Sequence, residues 1–218
     1  SFVVVGTQTT ATGRQAIVRK YTATGAFAWQ QTYVPSVALQ VAEGRGVAVD
    51  RFGNIYVAGF EEVSGQSYDA LLVKYSDAGV ELWHRTINGG GAFGGNDEGY
   101  AVAIDPSNDE VIMVGRFQLN NWFVARYQAN GTQSWLRPFD YARQTDWAGG
   151  VAMTASGTAV VAVNIQAGGY GYLIQGYSAA GSAVLPSVTG SPGGLYGIAL
   201  GHDGNIYAGG ASGSGWML

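Results

Sequence analysis

The sequence predicts an all-β fold, a β-propeller of four-stranded antiparallel blades with about four to five repeats present, and three observations carry that expectation. The first is a unit of roughly fifty residues that recurs along the chain. Tyr21, Tyr75, Tyr127 and Tyr177 stand 54, 52 and 50 residues apart, and Gly25, Gly79, Gly131 and Gly181 keep the same spacing. Trp29, Trp83 and Trp135 each follow such a glycine, with Leu185 in the fourth copy. The second is composition: 35 Gly, 13 Tyr and 6 Trp against only 12% charged residues suit short strands and tight turns rather than helices. The third is that every connection within a unit has hairpin length, which favours blades over a solenoid. The repeat argues for one domain over 1–218, with units at approximately 1–44, 45–98, 99–147, 148–194 and a partial 195–218.

The best-defined unit shows why each segment forms a strand or a turn. Gly46 to Asp50 is a short apolar strand, and Arg51 to Asn54 supplies a Gly/Asn turn. Ile55 to Phe60 is a second strand, and a polar loop follows from Glu61 to Tyr68. In the third strand, Asp69 to Tyr75, the period of two places Leu71, Val73 and Tyr75 on one face. Ser76 to Gly79 is a turn whose glycine accepts positive φ, and Val80 to Thr86 is the fourth strand. The third copy repeats the scheme in Tyr100 to Asp105 and Asn121 to Tyr127. The fourth departs from it: Thr154 stands for the turn Asp, Asn164 for the strand-end Gly and Leu185 for the Trp.

The strings Gly46 to Gly59 (GVAVDRFGNIYVAG) and Asp69 to Trp83 (DALLVKYSDAGVELW) resemble the bacterial SBBP-type repeats of seven-bladed β-propeller proteins. The similarity runs along essentially the whole chain. It implies a propeller, and, because that family occurs mainly in large exported or surface proteins, an extracellular or cell-surface bacterial location.

With strands named A to D from the axis outward, the chain opens in strand B at Phe2 to Gly6. The last unit has A (Leu195 to Leu200) and B (Asn205 to Gly209) and runs out at Trp216 to Leu218, short of its Tyr. These ends do not complement each other as ring closure requires. Either the chain is a segment of a longer propeller, or a small ring closes with imperfect edge blades that invite self-association.

Short turns join A to B and C to D, whereas the D-to-A connections are long and dissimilar: Val34 to Glu43, Asn88 to Glu98, Pro138 to Trp147 and Pro186 to Gly194. In a propeller they open on one face, where binding loops gather on a rigid scaffold. The candidate ligand-binding residues on that face are Glu43, Asp97, Glu98, Tyr141, Asp146, Trp147, Tyr170 and Tyr196, with Phe93 beside them. The carboxylates suit cations or sugar hydroxyls, and equally the backbone N–H groups of a loop end. The aromatic rings suit sugar stacking or a protein partner, and equally the covering of blade ends. Asp105, Asn108, Asp109 and Glu110 resemble a calcium loop only superficially, since spacing and glycine are wrong, and are expected to form a solvated turn.

Chemistry narrows further by exclusion. A net charge of -4 and pI near 5.0 give no basic footprint for nucleic acid. With 0 Cys there is no disulfide, thiol nucleophile or thiolate metal site. No apolar run approaches the roughly 20 residues of a membrane span. His84 and His202 fall on different parts of a blade, and no nucleophile elbow, phosphate loop or dinucleotide fingerprint is present. No catalytic residue, metal or cofactor is nominated. The expectation is a non-enzymatic scaffold or protein-interaction module, with edge blades through which it could self-assemble. A glycan-binding propeller is the alternative, and a carboxylate-based hydrolase or lyase the second.

Overall fold

The structure, a computed structural model, describes residues 1–218 except 12, 36–40, 64–66, 90–94, 119–120, 141–144, 167–170, 185–186, 191–192, 213–214 and 218. The described residues form five antiparallel sheets. The first is β1 (Phe2–Thr10), β2 (Gly13–Tyr21) and β3 (Phe27–Tyr33). The second is β4 (Ala42–Val49), β5 (Ile55–Glu62), β6 (Tyr68–Tyr75) and β7 (Glu81–Ile87). The third is β8 (Glu98–Ile104), β9 (Val111–Phe117), β10 (Asn121–Tyr127) and β11 (Gln133–Phe139). The fourth is β12 (Trp147–Met153), β13 (Ala159–Ile165), β14 (Gly171–Tyr177) and β15 (Val188–Gly190). The fifth is β16 (Gly194–Leu200), β17 (Ile206–Ser212) and β18 (Gly215–Met217). Each sheet is a meander, so strand order in space follows strand order in the chain.

Sheets stack face to face in an arc. The inner strands β4, β8, β12 and β16 pack each against the next, and β1 and β2 pack against β4. Among the described residues, no strands of the first and fifth sheets pack to the extent seen between neighbours. The core therefore lies between blades. Ile55, Val57, Leu71 and Val73 face back onto Ala16 and Val18 of the first sheet. The alternate residues Tyr56, Ala58, Ala70 and Leu72 face forward onto Val102, Val111, Met113 and Phe123 of the third. Period-two geometry sends successive side chains to opposite faces, and both faces are covered, which is why β5 is apolar without interruption from Ile55 to Phe60.

The recurring Tyr, Gly and Trp columns form one inter-blade joint. Nε1–H of Trp29, Trp83 and Trp135 donates to the carbonyls of Asp77, Ala129 and Ala179 at 3.1, 3.2 and 2.7 Å, each in the turn of the following blade. The indoles lie against Gly79, Gly131 and Gly181, glycines with φ of +84°, +85° and +81° that leave room for the ring. A second tie comes from the lysine before each of the first two of these tyrosines. Lys20 pairs with Asp77, and Lys74 Nζ donates to the Ala129 carbonyl at 2.8 Å.

Three expectations are corrected. The segment from Asp105 to Glu110 is a turn with Pro106, Ser107 and Asn108 exposed, but its aspartates are not solvated: Asp105 is 1% and Asp109 5% exposed. Arg126, fully buried, reaches Asp105 and Glu110 at 2.5 Å each, and Arg51 pairs with Asp109 at 2.6 Å. Inner strands begin earlier than the apolar runs suggested, so Glu43 lies inside β4, Glu98 opens β8 and Trp147 opens β12 rather than ending a loop. In the fourth blade Val163, not Asn164, occupies the strand-end glycine position, because Val163 pairs with Leu173 as Gly59 does with Leu71. Thr154 nevertheless does the turn Asp's work, accepting the Thr158 N–H at 2.9 Å where Asp50 accepts that of Asn54 at 2.8 Å.

Candidate functional site

Every inner strand carries a β-bulge at the same height. The register shifts between Gly44 and Gly46, Gly99 and Ala101, Ala148 and Gly150, and Leu195 and Gly197. The unpaired residues are Arg45, Tyr100, Gly149 and Tyr196, and a bulge re-aims such a side chain out of the ladder. The guanidinium of Arg45 lies between the Phe60 and Tyr100 rings, 4.7 and 4.8 Å from their centroids. It pairs with Glu98 and lies 3.5 Å from Glu43, which also takes Arg14. Glu98 further accepts Arg116 at 2.6 Å and the Tyr100 hydroxyl at 2.9 Å. Burial and the Glu98 charge raise the Tyr100 hydroxyl above its ordinary range, so it remains a donor at neutral pH. The result is an Arg–Glu chain across the first three blades.

Two of the candidate carboxylates, Glu43 and Glu98, thus come together, and each is engaged by guanidinium groups. Asp97 and Asp146 stand elsewhere, at equivalent places before β8 and β12. Asp97 accepts N–H groups of Gly89 and Gln118 at 2.6 Å each, and Asp146 that of Gln166 at 3.2 Å. Both are buried, at 2% and 0% exposure. Gln118 is held at φ of +57°, a left-handed conformation uncommon outside glycine, by this contact and by its side-chain bond to the Gly89 carbonyl at 2.7 Å. Burial raises the Asp97 pKa despite its hydrogen bonds, and burial together with Asp97 lifts that of Asp69 to about 6. Among the described residues Asp69 receives a long bond from Asn88, 3.4 Å.

The remaining candidates divide. Trp147 is half-buried in β12, Tyr196 is 60% exposed on β16, and Tyr141, Tyr170 and Phe93 lie outside the described residues. Sequence reasoning missed Arg45, Tyr100, Arg116 and Asn164. The Asn164 amide, buried, donates to the Leu195 carbonyl at 2.7 Å and accepts the Leu195 N–H at 2.6 Å, imitating a strand partner between the fourth and fifth blades. Glycines flanking each bulged residue were the one available signal. Among the described residues no group of three or more metal-ligating side chains converges.

The arc's two outer faces differ from its inner ones. On the first blade Phe2 and Val4 are each 49% exposed, whereas their counterparts Ile55 and Val57 are buried. On the fifth, Gly197, Ile198, Ala199, Tyr207, Ala208 and Gly209 line an apolar groove of about 370 Å³.

Against known proteins, a Beta-propeller repeat (SBBP) family model matches residues 36–59. No curated protein matches the chain. Among solved structures, periplasmic gluconolactonase from Pseudomonas aeruginosa superposes with a TM-score of 0.62 at 12% identity, over 98% of this chain and 60% of that one. A protein of unknown function from Bacteroides caccae gives 0.60 at 13% identity, over 94% and 64%. A catalytically inactive virginiamycin B lyase from Staphylococcus aureus, with quinupristin, gives 0.51 at 14% identity, over 81% and 55%. The chain therefore spans less than two thirds of the length of each, and at these identities the likeness is one of fold: an all-β propeller.

Proposed function

We propose that this β-propeller chain is a protein-interaction and scaffold module that associates through the uncovered faces at the two ends of its arc, and that it acts at a bacterial cell surface. One observation carries the first part. Tyr207 is 56% exposed, while Tyr56, its counterpart on β5, is 0% exposed because the next blade covers it. The same strand face is buried where a blade packs on it, and exposed apolar patches rimmed by polar groups mark interaction sites. The surface location rests on the resemblance of the repeats. The Glu43–Arg45–Glu98–Arg116 chain fits this reading, since both carboxylates are paired with guanidinium groups and neither is free for acid–base work.

Sedimentation velocity over a wide concentration range tests it. The wild type is expected to rise above 22.8 kDa with concentration, and Tyr207→Lys to remain nearer that value with an unchanged circular-dichroism spectrum. A wild type of constant mass at every concentration would remove the proposal.

A further inference from the structure

An Asn-Gly step closes readily to a succinimide because glycine puts no side chain in the way, and the chain has two, Asn88–Gly89 and Asn130–Gly131. The fold treats them in opposite ways. We propose that Asn88–Gly89 is a self-processing modification site, at which Asp97 as base and Asp69 as acid convert Asn88 through a succinimide to aspartate or isoaspartate. The site lies on the connection from β7 to β8, in the middle of the arc, and is independent of the end faces.

Both reacting groups of this step touch a buried carboxylate. The Gly89 N–H, whose proton must be lost for that nitrogen to attack, donates to Asp97 Oδ2 at 2.6 Å, within reach of a general base. The Asn88 amide nitrogen, which must leave, donates to Asp69 Oδ2 at 3.4 Å. Asp97 is steadied by the Gln118 N–H on its other oxygen, at 2.6 Å. Gly89 is closely enclosed: a Cβ there would stand 2.8 Å from Gln118 Cγ and 3.1 Å from Phe117 Cζ. Around the two carboxyls, Glu61 of β5 lies opposite Asp69 in the ladder and accepts the Tyr33 hydroxyl, while Arg116 and Glu98 act on Asp97. Burial above all raises both acids, Asp69 to about 6, which suits proton exchange near neutral pH. At the second step the same two groups serve a turn instead. Asn130 Oδ1 accepts the Thr132 N–H at 2.9 Å, and the Gly131 N–H donates to the Gln128 carbonyl at 2.9 Å. These bonds supply neither base nor acid.

In the reaction the Gly89 nitrogen bonds to Asn88 Cγ as its proton passes to Asp97. The Cγ–Nδ2 bond then breaks, and Nδ2 takes a proton from protonated Asp69 and leaves as ammonia with the bonding electron pair. Water opens the ring, giving aspartate by attack at Cγ and isoaspartate by attack at the main-chain carbonyl carbon. Nothing is oxidised or reduced. The product exchanges an amide donor for a third carboxylate beside Asp69 and Asp97, so conversion weakens the anchorage of the connection.

Peptide mapping by mass spectrometry of the whole chain, aged while folded at about pH 6, tests this. Asn88 is expected to gain one mass unit at least about tenfold faster than Asn130, and the ratio to fall toward parity in urea, where only local sequence acts. Asp97→Asn, which keeps an oxygen acceptor, is expected to slow Asn88 by at least about tenfold and leave Asn130 unchanged. The pH profile is a second readout. Conversion of Asn130 should climb with hydroxide, whereas that of Asn88 should level off or fall above about pH 6 as Asp69 loses its proton. Equal rates in the folded chain, a ratio that survives urea, or an unaltered Asn88 rate in folded Asp97→Asn overturns the assignment. Should circular dichroism show Asp97→Asn unfolded, parallel pH profiles for the two asparagines of the wild type overturn it and divergent ones sustain it.

Discussion

At the scale of single residues, the acidic side chains near the loops behave according to burial rather than sequence position. Asp97 and Asp146 hold backbone N–H groups, Glu43 and Glu98 hold arginines, and Asp69 is left with the weakest support. An Asp whose folded pKa is raised from 3.8 to about 6 keeps its proton longer in the folded than in the unfolded chain. Its contribution to stability is therefore present below pH 4 and lost as pH rises toward 6. Asp69→Asn removes that loss: the variant is expected to have a higher urea midpoint than wild type at pH 7, the gap closing toward pH 4. A gap independent of pH would show that Asp69 does not titrate in this window. Nothing in the sequence distinguished Asp69 from its neighbours, because desolvation depends on which strands cover a carboxylate.

At the scale of elements, the decisive feature is how closely an inner strand approaches its partner. The glycine near the end of the second strand was legible as a repeat, and at Gly59, Gly115 and Gly210 its physical setting is the carbonyl of the facing strand, where the fourth blade has Val163. Gly115→Ala pushes a methyl group into the Glu98 carbonyl and is expected to cost about 2 kcal/mol or more, read as a lowered urea midpoint. Gly6→Ala, at the equivalent but open position, is expected to stay within about 0.5 kcal/mol of wild type. Similar losses at both sites would mean that strand conformation, not close approach, explains the glycines. The Trp column likewise was legible as packing, whereas its hydrogen bond to the next blade's turn was not, since the acceptor is a main-chain carbonyl some 45 residues on.

At the scale of the whole molecule, stability is concentrated in the middle of the arc. The strands β5, β9 and β10 are buried almost end to end, while β1 has no buried residue and β16 only Leu195. Each blade is stabilised by its neighbours, as expected of repeat architectures. Amides of β9 and β10 are accordingly expected to exchange on the order of tenfold or more slowly than those of β1 and β17. Uniform protection across all five sheets would indicate a single cooperative unit in which the outer faces carry no penalty.

The sequence by itself determined the class, the repeat and the position of nearly every strand. These follow from period-two alternation, glycine turns and spacing, all of which are local. It placed the long connections, but it could not say which of their acids and rings would meet. Only the tertiary structure brought Arg45 between Phe60 and Tyr100, bridged it to Glu98 from the next blade, and buried Arg126 against Asp105 and Glu110. It also separated Tyr207 from its buried twin Tyr56. The Arg45–Glu98 pair and the burial of Tyr56 depend on one blade packing against another, between residues about fifty positions apart, and the Arg126 cluster on the pairing of strands within its own blade; no local pattern encodes either.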